Sequence, residues 1–578
     1  MDKKNILSKI GLKFSSTRTT LLILLFSFNL TFAQPGIQWQ NTIGADSSDW
    51  LYSIQQTTDG GYILGGYSRS NAADDKTENS MGEFDFWLVK IDSLGLLQWQ
   101  NTIGGDSDDI VRSVQQTSDG GYIVGGYSAS NISGDKTENC WGQFDYWIVK
   151  TDSIGNIEWQ KTIGGTLDDR LYRVQQTADG GYILGGHSNS NATGNKTENR
   201  VGGIDYWVVK TDSAGNIVWQ NTIGGTQDDY LYYIEQTSDG GYILGGSSRS
   251  NGNGDKTENT HGNDDYWIIK INSIGNIVWQ NDIGANNFEQ LYAIHETLDG
   301  GYILGGYSNS DAGDDKTENS QGWFDYWIVK TNSLGVIQWQ NTIGGDSVDY
   351  LYSIEQTADS GYIIGGHSTS HLSGDKTENS IGGADYWMVK TDSLGAIQWQ
   401  NTIGGTFNED CRYIKQTRDE GYIIAGTSLS NISGDKSESC LGLNDFWVVK
   451  INHICRVEAQ LLNNVICNGQ NDGAAIGLAT GGQPPYTYLW SPSSASTSTV
   501  TNFGPGTYTV SVTDLVGCVT ASSISITEPP LLTSSIDTSN YILCHGDSTG
   551  FAAVTAIGGI MPYSYSRSEE HTSELQSP

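Results

Sequence analysis

The chain has 578 residues and a formal net charge of −35. This length exceeds what one hydrophobic core usually holds, so several domains or a repeat architecture are expected. The acidic excess argues against nucleic acid as a partner, because its phosphates would be repelled. With 73 glycines, 18 tryptophans and only 9 prolines, the composition predicts many short strands and tight turns rather than long helices.

The first segment is typical of a secretory signal peptide. Several lysines and an arginine precede an apolar run from Leu21 to Phe32, and Ala33 precedes Gln34, so cleavage is expected after Ala33. The alternative is a membrane anchor, but the run is about a dozen residues long and a spanning helix needs about 20. We therefore expect residues 1–33 to be a signal peptide, a secreted or cell-surface location, and no transmembrane segment in the mature chain.

A period of sixty residues organises most of the chain. Seven tryptophans mark it, each sixty positions after the last: Trp39, Trp99, Trp159, Trp219, Trp279, Trp339 and Trp399. Four strand-like runs occupy one copy, at residues 98–103, 111–117, 122–128 and 145–152, and Asp119-Gly120-Gly121 provides a tight hairpin turn. Four strands per copy predict a β-propeller blade.

The two ends of the repeat region complement each other. The chain begins with a tryptophan-bearing strand, whereas the last copy lacks one, so we expect the first strand to complete the last blade and remove an open sheet edge. An open solenoid is the alternative, but it would need capping units of different sequence. We predict an all-β protein in which residues 34–458 form a seven-bladed β-propeller.

The turn before each repeated tryptophan carries a family resemblance. The segment Val149 to Trp159 resembles the Asp-x-x-Gly-x-x-x-Trp blade motif of the quinoprotein-like (PQQ-type) propellers, with Asn272 and Asn332 replacing the aspartate in two copies. In that family the tryptophan docks between adjacent blades. The resemblance implies the fold; the arginine, tryptophan and acidic ligands that would clamp a quinone cofactor are not identifiable here.

The amino-acid sequence after the propeller differs from it in composition. Residues 459–530 contain Cys467-Asn468-Gly469, the run Gly481 to Ser491, the run Gly506 to Asp514, and Gly517-Cys518, which resemble the SprB repeat. That resemblance implies a small Ig-like β-sandwich module, of the kind found in cell-surface adhesins of gliding Bacteroidota and in proteins exported by their type IX secretion system. Cys467 and Cys518 bracket its core, and we predict a disulfide between them.

A second, truncated module follows at residues 531–566. It starts in register with the first, with Cys544 at an offset of 77 from Cys467, and the resemblance stops at Arg567. Residues 567–578 resemble the translation of a sequencing-library adapter. We therefore expect the natural protein to continue beyond this point and to include a sorting domain.

No catalytic residue is assigned, because seven near-identical blades present each side chain seven times and recurrence points to structure. The eight histidines show no metal-binding spacing, so neither a metal site nor a cofactor is predicted. Asp135 and Glu138, in the long loop of one copy, are candidate calcium ligands. The alternative for this loop is a solvated, turn-forming segment.

Positions at which the copies differ are better candidates for recognition, since a site for one partner must break the sevenfold symmetry. Aromatic and large apolar side chains on a loop are good anchors; the candidates are Met81, Phe84, Trp141, Phe144, His261, Trp323, Phe324 and Leu441. The alternative is that they tuck under their own loops. The sequence thus predicts a surface binding protein for an extracellular glycan, polymer or protein; the rival is an exported propeller enzyme, a quinoprotein-like dehydrogenase or a glycan-degrading enzyme.

Overall fold

A computed structural model describes residues 35–452, 455–480, 485–515, 518–544 and 546–568. The predicted signal peptide and residues 569–578 of the predicted adapter-derived tail lie outside these ranges. Every helix or strand within them is a β-strand, as predicted. Among the described residues there is no apolar helix of membrane-spanning length.

Twenty-eight strands belong to the repeats. They are β1 Ile37–Ile43, β2 Asp49–Gln56, β3 Tyr62–Ser68, β4 Asp85–Ile91, β5 Leu97–Ile103, β6 Asp109–Gln116, β7 Tyr122–Ser128, β8 Asp145–Thr151, β9 Ile157–Ile163, β10 Asp169–Gln176, β11 Tyr182–Ser188, β12 Asp205–Thr211, β13 Ile217–Ile223, β14 Asp229–Gln236, β15 Tyr242–Ser248, β16 Asp265–Ile271, β17 Ile277–Ile283, β18 Glu289–Glu296, β19 Tyr302–Ser308, β20 Asp325–Thr331, β21 Ile337–Ile343, β22 Asp349–Gln356, β23 Tyr362–Ser368, β24 Asp385–Thr391, β25 Ile397–Ile403, β26 Glu409–Gln416, β27 Tyr422–Ser428 and β28 Asp445–Ile451.

These strands form seven four-stranded antiparallel sheets within the described residues, which we call blades 1 to 7. Blades 1 to 6 are β2–β5, β6–β9, β10–β13, β14–β17, β18–β21 and β22–β25, and blade 7 is β26–β28 with β1. Each blade ends with the tryptophan-bearing strand of the next sequence copy. A blade therefore straddles two copies, one strand out of phase with the sequence period.

The N-terminal strand β1 completes blade 7, as predicted. It pairs with β28 in antiparallel register, with Thr42 opposite Trp447, and the Trp447 indole donates to the Gln40 side chain at 3.1 Å. Without β1 the outer edge of blade 7 would be unpaired.

Neighbouring blades are joined by seven clusters of buried apolar side chains, each drawn from two blades. One of them contains Leu51 and Trp87 of blade 1 together with Ile423 and Phe446 of blade 7. The repeated tryptophan also contributes, since the ring of Trp99 of blade 1 packs at a tilt against that of Tyr122 of blade 2, with centroids 5.7 Å apart. The packing is that of a seven-bladed β-propeller, with its core between the blades.

The first module after the propeller is a β-sandwich. One sheet contains β29 (Arg456–Asn463), β30 (Gly473–Thr480) and β32 (Thr499–Phe503), and the other contains β31 (Thr487–Ser491), β33 (Gly506–Thr513) and β34 (Val519–Ile526). Trp490, Val510 and Val512 are fully buried between the sheets. The next segment forms a two-stranded sheet from β35 (Thr533–Asn540) and β36 (Phe551–Ile557).

The predicted disulfide between Cys467 and Cys518 is wrong. Cys518 instead bonds Cys455, 63 residues earlier, and Cys467 is free and exposed. Cys455 and Cys518 directly precede β29 and β34, whose starts lie together, because the Ala459 amide donates to Ser522. Cys467 lies near the opposite end of β34, where the Val465 amide donates to the Thr527 carbonyl. Eight residues of strand place this end about 25 Å from Cys518.

Candidate functional site

The first strand of each blade lies beside the first strands of the neighbouring blades, so these seven strands surround the axis of the propeller. The long loops that join second and third strands lie at the end where the first strands begin, because Ser128 pairs with both Asp109 and Asp145. We call this end the loop face. The opposite end carries the Asp-Gly hairpin turns.

Side chains from the middle of the first strands close around the axis. We call this set the channel ring; its members are Tyr52, Arg112, Tyr172, Tyr232, Tyr292, Tyr352 and Arg412. Successive members contact each other around the complete circuit, with separations of ring centres and guanidinium carbons between 4.2 and 5.1 Å. They line a cavity of about 110 Å³.

The two arginines of the ring have different partners. Arg412 forms an ion pair with Asp410, which also lies 2.9 Å from His367. Burial opposes ionisation of Asp410, but the Arg412 and His367 charges outweigh it and hold its pKa at about 2. Arg112 donates to the Tyr127 hydroxyl at 2.8 Å, its Nε is buried without a hydrogen bond, and it forms no ion pair with a carboxylate among the described residues.

Below the ring, towards the hairpin-turn face, two acidic side chains lie near the axis and each is paired. Glu235 contacts His295 Nδ1 at 2.9 Å and Glu355 contacts Lys415 Nζ at 2.7 Å. Burial opposes ionisation of Glu235, but the adjacent His295 lowers its pKa below the usual value. An ion-paired acid with a lowered pKa, such as Glu235, is suited to structure rather than to donating a proton.

Three of the predicted recognition residues join the wall of the channel on the loop-face side. Phe84, Phe144 and Phe324 are half-buried and lie edge-on to the tyrosine of the adjacent second strand, with centroid distances of 5.2, 5.3 and 5.4 Å. One of these tyrosines, Tyr67, stacks on Tyr52 of the ring. Aromatic side chains therefore continue from the ring to the loop face.

The other predicted residues do not join them. Met81 and Leu441 are about two-fifths exposed and Trp141 is half exposed; Met81 and Trp141 lie against the tight turns at Gly134 and Gly194 of the next blade. Trp323 is three-quarters exposed. His261 points towards buried acids of blade 4. The structure thus divides the eight residues between the channel wall, the blade junctions and open surface.

The two calcium candidates have protein partners in the structure. Glu138 accepts from the Thr162 amide at 2.6 Å, and Asp135 accepts from the Gly104 amide at 3.3 Å. Both contacts tie the long loop to outer strands, Thr162 in its own blade and Gly104 at the end of the preceding one. Calcium binding by these residues stays a prediction.

Buried carboxylates support the loop face, and their burial was not predicted from the sequence. Asp145 is fully buried, accepts from the Trp141 and Gly142 amides, and has its pKa raised by burial to about 7. Asp109, at the start of the first strand, accepts from the Gly105 amide and the Ser130 hydroxyl. Because both positions recur in each blade, as aspartate or glutamate, they serve the fold.

Comparison with known proteins finds one family match and several similar solved structures. Residues 462–495 match the SprB repeat family. Among solved structures, the chain is similar to the WD40 domain of Pan2 from Neurospora crassa, at 9% identity and a TM-score of 0.37 over 70% of this chain and 97% of that one. It is also similar to hydrazine synthase from Kuenenia stuttgartiensis, at 9% identity and a TM-score of 0.38 over 65% and 92% of the two chains.

Among curated proteins, a segment of 156 residues is 25% identical to the regulatory protein FlaEY of Caulobacter vibrioides. This match covers 25% of the present chain and spans 16% of the length of FlaEY. At TM-scores below 0.5, the structural likenesses say nothing about what the chain binds. The structural features that bear on recognition are therefore the channel ring and the loop face.

Proposed function

We propose that the chain is a secreted or cell-surface binding protein whose propeller recognises an acidic extracellular glycan at the channel ring, without catalysis. The SprB match at residues 462–495 supports a surface-associated protein, since the resemblance implies modules of cell-surface adhesins. A predicted signal peptide supports the same location. The channel ring supports the choice of ligand.

One observation carries this proposal: Arg112 is a guanidinium within an acidic protein that forms no ion pair with a described carboxylate. A buried guanidinium binds a carboxylate through a bidentate, charge-assisted contact. The tyrosines on either side offer flat apolar faces, which bury large area at low entropic cost. Sugars carrying a carboxylate, such as uronic acids, combine the two features that this ring complements.

The channel fits a binding role better than a hydrolytic one. Glycoside hydrolysis uses two carboxylates, one of them protonated at working pH through a raised pKa. The acids nearest the channel ring, Glu235, Glu355 and Asp410, are each paired with a basic side chain, and the pKa values of Glu235 and Asp410 are lowered. A protonated acid is therefore not provided by Glu235 or Asp410.

The first experiment is calorimetric titration of the chain with oligogalacturonate and with the carboxyl-reduced form of the same oligosaccharide. We expect binding of the acidic form and at least about tenfold weaker binding of the neutral form, because the contact to Arg112 is lost. The variant Arg112→Tyr, which places the residue of five other blades in the ring, should weaken binding of the acidic form by about tenfold or more.

The matched control is Trp323→Ala, which removes an exposed loop aromatic far from the ring contacts and should leave the affinity unchanged. Chromatography of the oligosaccharide after incubation should show no cleavage products. Equal affinity for acidic and neutral forms, or an unchanged affinity in Arg112→Tyr, contradicts the proposed ligand class. Cleavage products would favour the exported enzyme instead.

A further inference from the structure

Blade 4 departs from the other blades at two positions that meet in space. His261 lies in its long loop, where the other copies carry Met81, Trp141, Val201, Gln321, Ile381 and Leu441. Asp282 lies in its outer strand β17, where the other six copies carry threonine. The two changes occur in the same blade although they are 21 positions apart in sequence, and neither has an equivalent elsewhere in the repeats.

The fold brings both residues to a recurring buried acid. His261 Nδ1 lies 3.5 Å from Asp265 Oδ2 and 3.7 Å from Asp282 Oδ2. A third acid, Asp315 of the next blade, places its Oδ2 4.0 Å from the same nitrogen. In the part of the chain that the structure describes, His261, Asp265 and Asp282 are the group of three whose ligand atoms all lie within 4.8 Å of one another.

The position of Lys256 shows how blade 4 differs electrostatically from its neighbours. In blade 2 the equivalent lysine, Lys136, donates to the Thr162 hydroxyl at 2.5 Å. In blade 4 Lys256 contacts Asp282 Oδ1 at 2.5 Å, and both side chains are fully buried. Replacing threonine by aspartate thus adds one buried carboxyl group that no sister blade carries at this position.

The second carboxylate oxygen of Asp282, Oδ2, faces His261. Asp282 Oδ2 is buried and makes no hydrogen bond, which is costly for a carboxylate unless a proton or a cation meets it. His261 is one-third exposed and provides a route from solvent.

We propose that His261 Nδ1, Asp265 and Asp282 bind a divalent transition-metal cation such as Zn²⁺, with Asp315 available as a fourth ligand. Bonds of about 2.0–2.1 Å in a tetrahedral site separate ligand atoms by about 3.3 Å, close to the 3.5 and 3.7 Å found here. Lys256 contacts Oδ1 of Asp282 and orients the carboxylate, as partners of metal ligands commonly do. The site is independent of the channel ring.

The test is titration of the full chain with ZnCl₂ after treatment with a chelator, followed by calorimetry, and with Co²⁺ followed by visible absorption. We expect one tight equivalent of Zn²⁺ and a Co²⁺ spectrum typical of low coordination number. Asp282→Thr restores the residue of the six sister blades, and His261→Gln introduces the residue of blade 5, so both variants should fold. Each should weaken the tight equivalent by about a hundredfold.

A transplant provides the reciprocal measurement. Gln321→His combined with Thr342→Asp copies the two changes into blade 5, which already has Asp325 and Asp375 at the matching positions. We expect a second tight equivalent in this double variant. The proposal is overturned if the unmodified chain binds no tight equivalent, or if Asp282→Thr binds Zn²⁺ with the same affinity and stoichiometry as the unmodified chain.

Discussion

A single tyrosine hydroxyl links each of five blades to the next. Tyr206 Oη donates to the Trp267 carbonyl at 3.0 Å, and Tyr146, Tyr266, Tyr326 and Tyr386 make the equivalent bond. Phe86 and Phe446 occupy this position in blades 1 and 7. The aromatic ring of this side chain is therefore enough for packing, and the tyrosine hydroxyl adds a hydrogen bond between blades.

We expect Tyr206→Phe to lower the free energy of unfolding by about 1 kcal/mol, the usual net value of one buried hydrogen bond. Phe86→Tyr should raise it by up to about the same amount, because its ring already lies 4.6 Å from that of Trp147. Chemical denaturation monitored by tryptophan fluorescence measures both. If both changes shift stability in the same direction, the hydroxyl contact is not the cause.

At the scale of the element, two adjacent glycines in the second strands of blades 1 to 6 accommodate an irregularity of the first strand. In blade 4 the register shifts between Leu231 and Tyr233, directly opposite Gly246 and Gly245. A Cβ on Gly246 would lie 1.9 Å from the Tyr230 carbonyl oxygen, whereas one on Gly245 would meet only side-chain atoms of Ile294 and Leu291. A β-bulge of this kind needs room on the partner strand.

Gly246→Ala should therefore destabilise the propeller by about 1–3 kcal/mol or more, because backbone must move to admit the methyl group. Gly245→Ala is the matched control and should cost less, since Ala425 occupies this position in blade 7. Thermal unfolding followed by circular dichroism compares the two. Equal losses would show that the close carbonyl contact is not decisive.

Local patterns were enough to predict the strands, but not what distant strands bring together. The predicted runs at 122–128 and 145–152 agree with β7 and β8 because alternation and the Asp-Gly-Gly turn are local. The disulfide was wrong because pairing Cys455 with Cys518 depends on β29 and β34 lying side by side. The channel ring was missed because its tyrosines look like ordinary core residues. Its visible trace was the change to arginine in two copies.

For the whole molecule, burial of acids makes stability depend on pH. Burial raises the pKa values of six carboxylates to about 6 or 7; these are Asp49, Asp109, Asp145, Asp205, Asp325 and Glu409. The same groups ionise near pH 4 in an unfolded chain. The folded state therefore holds more protons between about pH 4 and 7, and stability falls as the pH rises through this range.

We expect the melting temperature to be higher at pH 5 than at pH 8 by several degrees. His187 acts in the opposite sense, because burial lowers its pKa to about 3, and so do Lys196 and Lys376, whose pKa values burial lowers to about 8. These are three groups against six, and the two lysines act only near pH 8. Scanning calorimetry at constant ionic strength tests this. A melting temperature that is flat or rises from pH 5 to pH 8 would show that these acids are not protonated in the folded state.

The pairing of β1 with β28 also sets an order for folding. The Trp447 indole donates to Gln40, which lies 407 positions earlier in the sequence. During synthesis, which starts at the N-terminus, the first strand therefore stays unpaired until almost the entire propeller has been made. Earlier blades can stack one on another as they emerge, but the final sheet has no fourth member until the two ends meet. Completing the propeller thus requires a loop closure over some four hundred residues, and the edge of blade 7 stays open until the first strand reaches it.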